Sequence, residues 1–228
     1  LRKSIYEMYQ TGYISRKKSI VDIGCWISDN SIIWSKYLSE NGTVFSIDPS
    51  SSNLSYGKII AKLNKANNIK FIEAVCSEKA GTKLNFSGSL EHTSFKESEK
   101  GKFLISTTID AIIMNEKTEI GLLHVDVEGL ELLVLKGSEK TILRDNPVIS
   151  FEQHISKENL QSIYEYLNSI NYKIFMVNEV LQDCALDCRN FLAFPIKKEL
   201  PNLMEFEQEE GRDLGIFSAV IGKALIEV

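Results

Sequence analysis

The sequence is poor in cysteine and lacks the closely spaced cysteines and histidines of a metal centre. Its 228 residues include four cysteines, at positions 25, 76, 184 and 188. These are too few and too scattered for a disulfide framework in a chain of this length. Cys184 and Cys188 have the spacing C-x-x-x-C, but no second pair and no nearby histidine accompanies them. We therefore predict four reduced thiols and no zinc site.

Long hydrophobic runs and an excess of positive charge are also missing. No run approaches the roughly 18 apolar residues that a membrane span needs, and the polar segment after Leu1 does not resemble a signal peptide. The formal net charge is −5, and the longest basic run is Arg16-Lys17-Lys18. We expect a cytoplasmic protein with no membrane span and no nucleic-acid partner. The basic run is interpreted as a solvent-exposed segment that precedes the first strand. The alternative is that it binds a phosphate group of the acceptor. A start at leucine is consistent with one domain of a longer chain.

What is present is the composition of a globular α/β protein, with 43% hydrophobic and 25% charged residues. Apolar runs alternate with helical patterns, which favours a Rossmann-like, mostly parallel sheet with helices on both faces. We predict seven strands, near residues 19–24, 43–48, 69–75, 120–127, 147–152, 172–177 and 190–195. Helices are expected near 1–12, 30–40, 53–66, 130–143 and 156–169, and a long polar loop over 87–102. Residues 1–196 are assigned to one domain, and residues 197–228 to an acidic appendage of that domain.

The first motif joins a strand, a glycine turn, a helix, a second strand and an acid. It comprises Asp22, Gly24 and Asp29 around the turn, and Asp48 at the end of the second strand. Glycine allows close backbone approach, a helix amino end favours a negative group, and an acid at this distance binds ribose hydroxyls. This pattern predicts a nucleoside-containing cofactor.

Two cofactors have that chemistry. Nicotinamide dinucleotides usually require G-x-G-x-x-G around the diphosphate, whereas this turn has Gly24 alone and places Trp26 and Ser28 at the other positions. S-adenosylmethionine has no phosphate and needs polar partners for its amino-acid end and ribose. Asp22, Asp29, Ser31 and Asp48 are expected to supply them. The residues favour S-adenosylmethionine, with Trp26 either in the wall of the pocket or in the core.

The second motif is an apolar strand that ends in Asp126 and Glu128, followed by Gly129 and an amphipathic helix. Open α/β sheets bind ligands at the carboxyl ends of their strands. Alternate residues of a strand share a face, so both acids are expected to point at one ligand. The alternative is that Asp126 caps the helix and Glu128 is solvated.

The chain resembles the FkbM family of S-adenosylmethionine-dependent methyltransferases over roughly residues 20 to 195. The matching segments keep the family's order and spacing: VDIGCWISDNS (21–31), VFSIDPS (44–50), FIEAVCSEKAGTKLNF (71–86), STTIDAII (106–113), LLHVDVEGLELLVLKGSEKTI (122–142) and NPVISFEQH (146–154). The first motif departs from the family's D-x-G-A-N-x-G at Cys25, Trp26 and Ser28. His124 stands where a lysine is common.

The resemblance implies methyl transfer from S-adenosylmethionine to a hydroxyl of an acceptor such as a sugar of a glycan or a natural-product scaffold, and a sugar of a glycan is the acceptor we expect. The predicted donor-binding residues are Asp22, Gly24, Cys25, Trp26, Asp29, Ser31, Asp48 and Cys76. Because a base must take the acceptor's proton, we predict catalytic roles for Asp126, Glu128, Glu152 and His154, which end two strands expected to be neighbours. Mg²⁺ held by carboxylates is an alternative, but no dense acidic cluster requires it, and no metal is predicted.

Two other functions remain open from the residues alone. A nicotinamide-dependent oxidoreductase would use the same fold but is disfavoured by the missing glycines. A non-catalytic module that binds S-adenosylmethionine is suggested by the departures at Trp26 and Ser28.

Overall fold

The computed structural model describes residues 1–89, 92–96, 103–154, 159–177, 179–181, 188–203, 217–219 and 225–228. The side chains of residues 85–89, 92–96, 154, 159, 179–181, 188 and 217–219 lie outside that description. The chain forms two compact units, one of Ser15–Pro147 and the other of Leu1–Ile14 with Val148–Val228. The division of the chain at residue 197 into a domain and an acidic appendage stays a prediction.

Helices and strands alternate through the described residues. The helices are α1 (Arg2–Gln10), α2 (Asp29–Ser35), α3 (Ser51–Leu63), α4 (Ile109–Ile113), α5 (Glu131–Lys136), α6 (Glu139–Asp145) and α7 (Asn159–Ser169). The strands are β1 (Ser19–Ile23), β2 (Val44–Asp48), β3 (Ile69–Glu73), β4 (Lys83–Ser89), β5 (His92–Lys96), β6 (Phe103–Ile105), β7 (Ile120–Val125), β8 (Val148–His154), β9 (Tyr172–Val177), β10 (Glu179–Leu181), β11 (Cys188–Pro195), β12 (Phe217–Ala219) and β13 (Leu225–Glu227). In the described part of the chain no helix is long and apolar enough to cross a membrane.

The unit of Ser15–Pro147 is built on four parallel strands in the order β7-β1-β2-β3. Every residue of β1, β2 and β7 is buried. Strands covered on both faces read as continuous apolar runs, which is why the sequence locates these three well. The carboxyl ends of all four strands lie at the same edge.

The other unit contains antiparallel pairs. Strand β11 pairs with β8 and with β9, and β13 pairs with β9. The rings of Phe151 and Phe191 stack in its core with centroids 5.0 Å apart. The α/β class is confirmed, but the sheet strands number eight, four in each unit, rather than seven. The additional strand is β13, which forms in the segment predicted to be an acidic appendage.

Two other predicted elements are wrong in detail. The polar loop predicted over 87–102 includes β5 and part of β4, which together with β6 form an antiparallel sheet. Serine and glycine suggest a loop there, and the alternation of Leu84 and Phe86 with polar residues, which has the period of a strand, lies just before it. The single helix predicted over 130–143 divides into α5 and α6 at Gly137. A Cβ at Gly137 would lie 2.1 Å from the carbonyl oxygen of Ser77, so the backbone there is in close contact.

Candidate active site

A cavity of about 400 Å³ lies at the carboxyl ends of the four parallel strands. Its polar and backbone lining comes from the residues that follow each strand: Gly24 and Trp26 after β1, Asp48 and Asn53 at and after β2, Ala74 to Cys76 after β3, and Asp126 to Glu128 after β7. Ile23, Val75 and Leu130 supply apolar surface. Small-molecule sites typically occupy about 300–1,000 Å³ with a few polar groups on apolar walls, so the cavity suits a ligand of nucleoside size.

Gly24 joins the loop after β1 to the turn after β7. Its φ is +76°, a region that glycine adopts at little cost. A Cβ at this position would lie 1.6 Å from the carbonyl oxygen of Asp126, while the Asp126 amide donates to the carbonyl of Ile23 over 2.9 Å. Glycine is therefore required here by contact between two loops of the cavity wall, whereas the sequence pattern predicts only that a ligand approaches the backbone.

Asp48 is buried, and it binds three donors at the edge of the cavity. Its Oδ2 accepts from the Trp26 amide over 3.0 Å. Its Oδ1 accepts from the Ser50 amide over 2.8 Å and from the Asn53 side chain over 3.2 Å. Burial raises the pKa of this carboxyl, against the lowering effect of these hydrogen bonds. A carboxylate has about four acceptor positions, so Asp48 keeps capacity for one ligand hydroxyl.

Trp26 lies in the wall of the cavity rather than in the core, which decides between the two alternatives. Its side chain is 46% exposed and its φ is +48°. A bulky residue in this backbone region is uncommon. The hydrogen bond from its amide to Asp48 holds the loop in this conformation.

Asp126 and Glu128 both line the cavity, although the strand geometry predicted for them is wrong. β7 ends at Val125, and Glu128 has a φ of +53°, so a tight turn rather than alternation along a strand brings the two acids to one cavity. Asp126 is half-buried and Glu128 is exposed.

Glu131 is the residue that fixes this turn, and sequence reasoning missed it. Its side chain is buried, and its Oε1 accepts from the Gly129 amide over 3.0 Å and the Val127 amide over 3.3 Å. Burial raises the pKa of its carboxyl. The available signal was its place in the first turn of α5, where an acid can satisfy free amides of a helix amino end.

Asp22, Cys25 and Ser31, three of the predicted donor-binding residues, form a buried network of polar side chains with Ser28 and Ser46 instead of lining the cavity. Asp22, Ser46 and His124 occupy paired positions on β1, β2 and β7 and therefore share a face of the sheet. The Ser31 hydroxyl lies 2.5 Å from Asp22 Oδ2 and 2.8 Å from Ser46 Oγ. The Ser46 hydroxyl lies 2.9 Å from Ser28 Oγ, which in turn is 3.5 Å from the Cys25 sulfur.

Burial raises the pKa of Asp22 to about 7, mainly through loss of hydration. Burial likewise raises the pKa of Cys25. Asp29, at the start of α2, does not line the cavity either. Direct contact of the donor with Asp22, Cys25, Asp29 or Ser31 stays a prediction. The described contacts indicate that Asp22, Cys25 and Ser31 support the loop from beneath.

Cys76 does line the cavity, and its thiol is buried with a pKa raised to about 12. Glu152 and His154 belong to β8, in the unit that contains Leu1–Ile14, where their backbones pair with Asn190 and Cys188. The His154 side chain lies outside the described part of the chain. Convergence of these two residues with Asp126 stays a prediction. Among the described residues, no group of three or more His, Cys, Asp or Glu side chains is placed to hold a metal.

Comparison with known proteins identifies the family and the fold of the chain. The model of the methyltransferase FkbM domain matches residues 28–174. No curated protein matches the chain. Among solved structures, a methyltransferase FkbM from Methylobacillus flagellatus KT superposes with a TM-score of 0.58 at 18% identity, covering 82% of this chain and 47% of that protein. The chain thus spans about half the length of that relative.

Two further structures share the fold. An rRNA methylase from Streptococcus thermophilus gives a TM-score of 0.54 at 10% identity, over 84% of this chain and 95% of that one. A putative O-methyltransferase from Klebsiella pneumoniae gives a TM-score of 0.52 at 8% identity, over 84% of this chain and 79% of that one. These identities establish the fold alone. Because the family match extends over more than half of the sequence, the chain belongs to the FkbM family of methyltransferases.

Proposed function

We propose that this chain binds S-adenosylmethionine in the cavity of the Ser15–Pro147 unit and transfers its methyl group to a hydroxyl of a sugar in a glycan. The observation that carries the proposal is the charge of the cavity. The carboxylates of Asp48, Asp126 and Glu128 line it, and no lysine or arginine is among its described lining residues. An acidic site attracts a cationic sulfonium and ammonium and repels a diphosphate, which favours the methyl donor over a nicotinamide dinucleotide.

The residues present fit the donor. Asp48 keeps an acceptor position for a ribose hydroxyl, and Ile23, Val75 and Leu130 offer apolar surface to a purine ring. S-adenosylmethionine supplies an electrophilic methyl carbon on a positively charged sulfur that departs as a neutral thioether. The protein must hold the acceptor oxygen in line with that carbon, and alignment can contribute on the order of 7–11 kcal/mol to catalysis.

The acceptor hydroxyl must also lose its proton as the new carbon–oxygen bond forms. Asp126 and Glu128 are carboxylates of the cavity wall that can accept it and pass it to solvent. General base catalysis of this kind contributes about 10²–10⁴-fold. His154 and Glu152 are proposed as further participants in this proton transfer. Sugar acceptors carry many hydroxyls, which suits a wall of carboxylates that can accept hydrogen bonds from them.

The test of the donor site is thermal unfolding with S-adenosylmethionine, S-adenosylhomocysteine, NAD and NADP added separately. A ligand at about 100 times its Kd stabilises by about 2.7 kcal/mol, which is roughly 5–10 °C in a chain of this size. We expect this shift with the two adenosyl compounds only. Asp48→Asn should abolish it. Asp110→Asn is the matched control, because Asp110 also accepts three hydrogen bonds but lies outside the cavity.

The acceptor is tested by formation of S-adenosylhomocysteine with a panel of sugars and by NMR of the product. A methyl ether supports the proposal. A methyl group on nitrogen or carbon refutes transfer to oxygen but retains methyl transfer. Donor binding without turnover on any acceptor would favour the non-catalytic module. Asp126→Asn, Glu128→Gln and His154→Gln, assayed at saturating donor, then identify the base by the loss of kcat.

A further inference from the structure

The outer face of α3 carries three large apolar side chains that no part of the described chain covers. Tyr56, Ile59 and Leu63 are 59%, 58% and 78% exposed. Their spacing of three and four residues places them in one stripe along the helix. The opposite face is buried through Leu54 and Ala61. The helix is therefore anchored on one side and presents an apolar stripe to its surroundings on the other.

The charge around this stripe is opposite to that of the chain as a whole. The sequence contains 31 acidic and 26 basic residues, yet between Asp48 and Glu73 it has four lysines and no acid. Lys58, Lys62 and Lys65 are exposed. Lys70 instead forms an ion pair with Glu116. The outer surface of α3 and the turn that follows it thus combine apolar side chains with exposed cations.

We propose that the outer face of α3 binds the surface of an anionic lipid bilayer. An amphipathic helix with aromatic and aliphatic residues beside lysines lies in the plane of such a surface, with its apolar side chains below the headgroups. A bilayer satisfies both features of the stripe, because it offers an apolar layer directly beneath negative phosphates. A nucleic acid would satisfy the lysines but offers Ile59 and Leu63 no apolar partner.

The same helix connects this surface to the cavity. Asn53, in the first turn of α3, binds Asp48 and lines the cavity. A helix of 13 residues is about 20 Å long. Docking of α3 would consequently hold the cavity within about one helix length of the membrane surface, where an acceptor attached to a lipid is concentrated. The docking itself does not depend on the proposed methyl transfer.

The expected preference for anionic over neutral lipid follows from the number of lysines. Each lysine near an anionic surface contributes about a fivefold increase in partitioning, so three contribute about 100-fold. Binding should therefore require anionic lipid and should weaken as salt is added, because charges more than about 10 Å apart are screened at 0.1 M ionic strength.

The experiment is co-sedimentation of the full chain with vesicles of phosphatidylcholine alone or of phosphatidylcholine and phosphatidylglycerol in equal parts. We expect binding to the anionic vesicles only. Ile59→Ser with Leu63→Ser, and separately Lys62→Gln with Lys65→Gln, should each reduce it at least tenfold. Leu143→Ser and Lys117→Gln with Lys140→Gln are matched controls at exposed positions elsewhere and should bind like the parent chain.

Three results would overturn the proposal. One is equal binding, or none, to the two kinds of vesicle. The second is self-association in sedimentation velocity that the serine variant abolishes, which would make the stripe an interface between copies of the chain. The third is binding to polyuridylate that the glutamine variant abolishes and the serine variant leaves intact. Unchanged thermal unfolding of the variants shows that each result concerns the surface and not the fold.

Discussion

Replacing Gly24 with alanine should damage both stability and the cavity, because two separate costs meet at this residue. The first is the left-handed backbone, since φ is +76°, and it amounts to about 1–2 kcal/mol for a residue with a Cβ. The second is steric. The new Cβ would lie 1.6 Å from the Asp126 carbonyl oxygen, and relief of overpacking typically costs about 1–3 kcal/mol more. The total expected loss is about 2–5 kcal/mol.

Two other glycines separate these costs. Gly12 has the same φ of +76° and Gly81 a φ of +85°, and in both cases a Cβ would meet no atom within 4 Å. Alanine at either position should therefore cost only the backbone term. The assay is urea unfolding of the three variants, with S-adenosylmethionine added in a second series. If Gly24→Ala is no more destabilising than Gly81→Ala, or if it retains the parent's ligand-induced stabilisation, the close contact of the two loops is not what requires glycine at position 24.

Three further perturbations test the surroundings of the cavity. Because burial raises the pKa of Asp22 to about 7, its contribution to stability should be complete below pH 4 and lost as pH rises through 7, by up to about 4 kcal/mol. Asp22→Asn should remove that part of the pH dependence of urea unfolding, and an unchanged profile would exclude the buried carboxyl as its source. Glu131→Ala should cost about 1–3 kcal/mol by leaving the amides of its turn without their acceptor and should weaken donor binding in calorimetry, whereas Glu131→Gln retains an acceptor and should lose less. Gly57→Ala should destabilise the parent chain, because its Cβ would lie 2.6 Å from Ser28 Oγ. In a Ser28→Gly background the cost should fall by at least about 1 kcal/mol, and equal costs in the two backgrounds would show that the side chains are not coupled.

The positions of the strand ends could be predicted because buried parallel strands appear in a sequence as nearly continuous apolar runs. The runs that form β1, β2 and β7 are mostly apolar, and Gly24, Asp48 and Asp126 stand at or directly after their carboxyl ends. Since the fold brings the carboxyl ends of parallel strands to one edge, these residues were expected at one site, and the cavity contains all three. For Asp48 in particular, distance along the chain and residue type were sufficient to place it at the cavity.

The sequence did not show which residues of the first motif line the cavity and which support the loop after β1. Asp22 and Gly24 are two residues apart, yet Asp22 lies in β1 with its side chain buried under α2, and Gly24 lies beyond the strand in the cavity wall. Sequence proximity to a donor loop does not distinguish a residue that contacts the ligand from one that supports the loop. Glu131 was missed for a related reason, since an acid in the first turn of a surface helix usually faces solvent.

The departure from the family pattern at Ser28 is accommodated by the residues packed against it, which bears on whether the cavity can bind a donor. Where the FkbM pattern has glycine, Ser28 adopts a φ of +63° and is fully buried. Its hydroxyl bonds to Ser46, and the space that its side chain needs exists because residue 57 is a glycine that packs against it. The Ser28 side chain thus occupies space that a side chain at position 57 would need, and the loop has a conformation in which the Trp26 amide donates to Asp48. Ser28, one of the two substitutions that suggested a degenerate pocket, is accommodated by the core beneath the cavity, while Trp26 lies in the cavity wall and Asp48 still accepts a hydrogen bond from its amide.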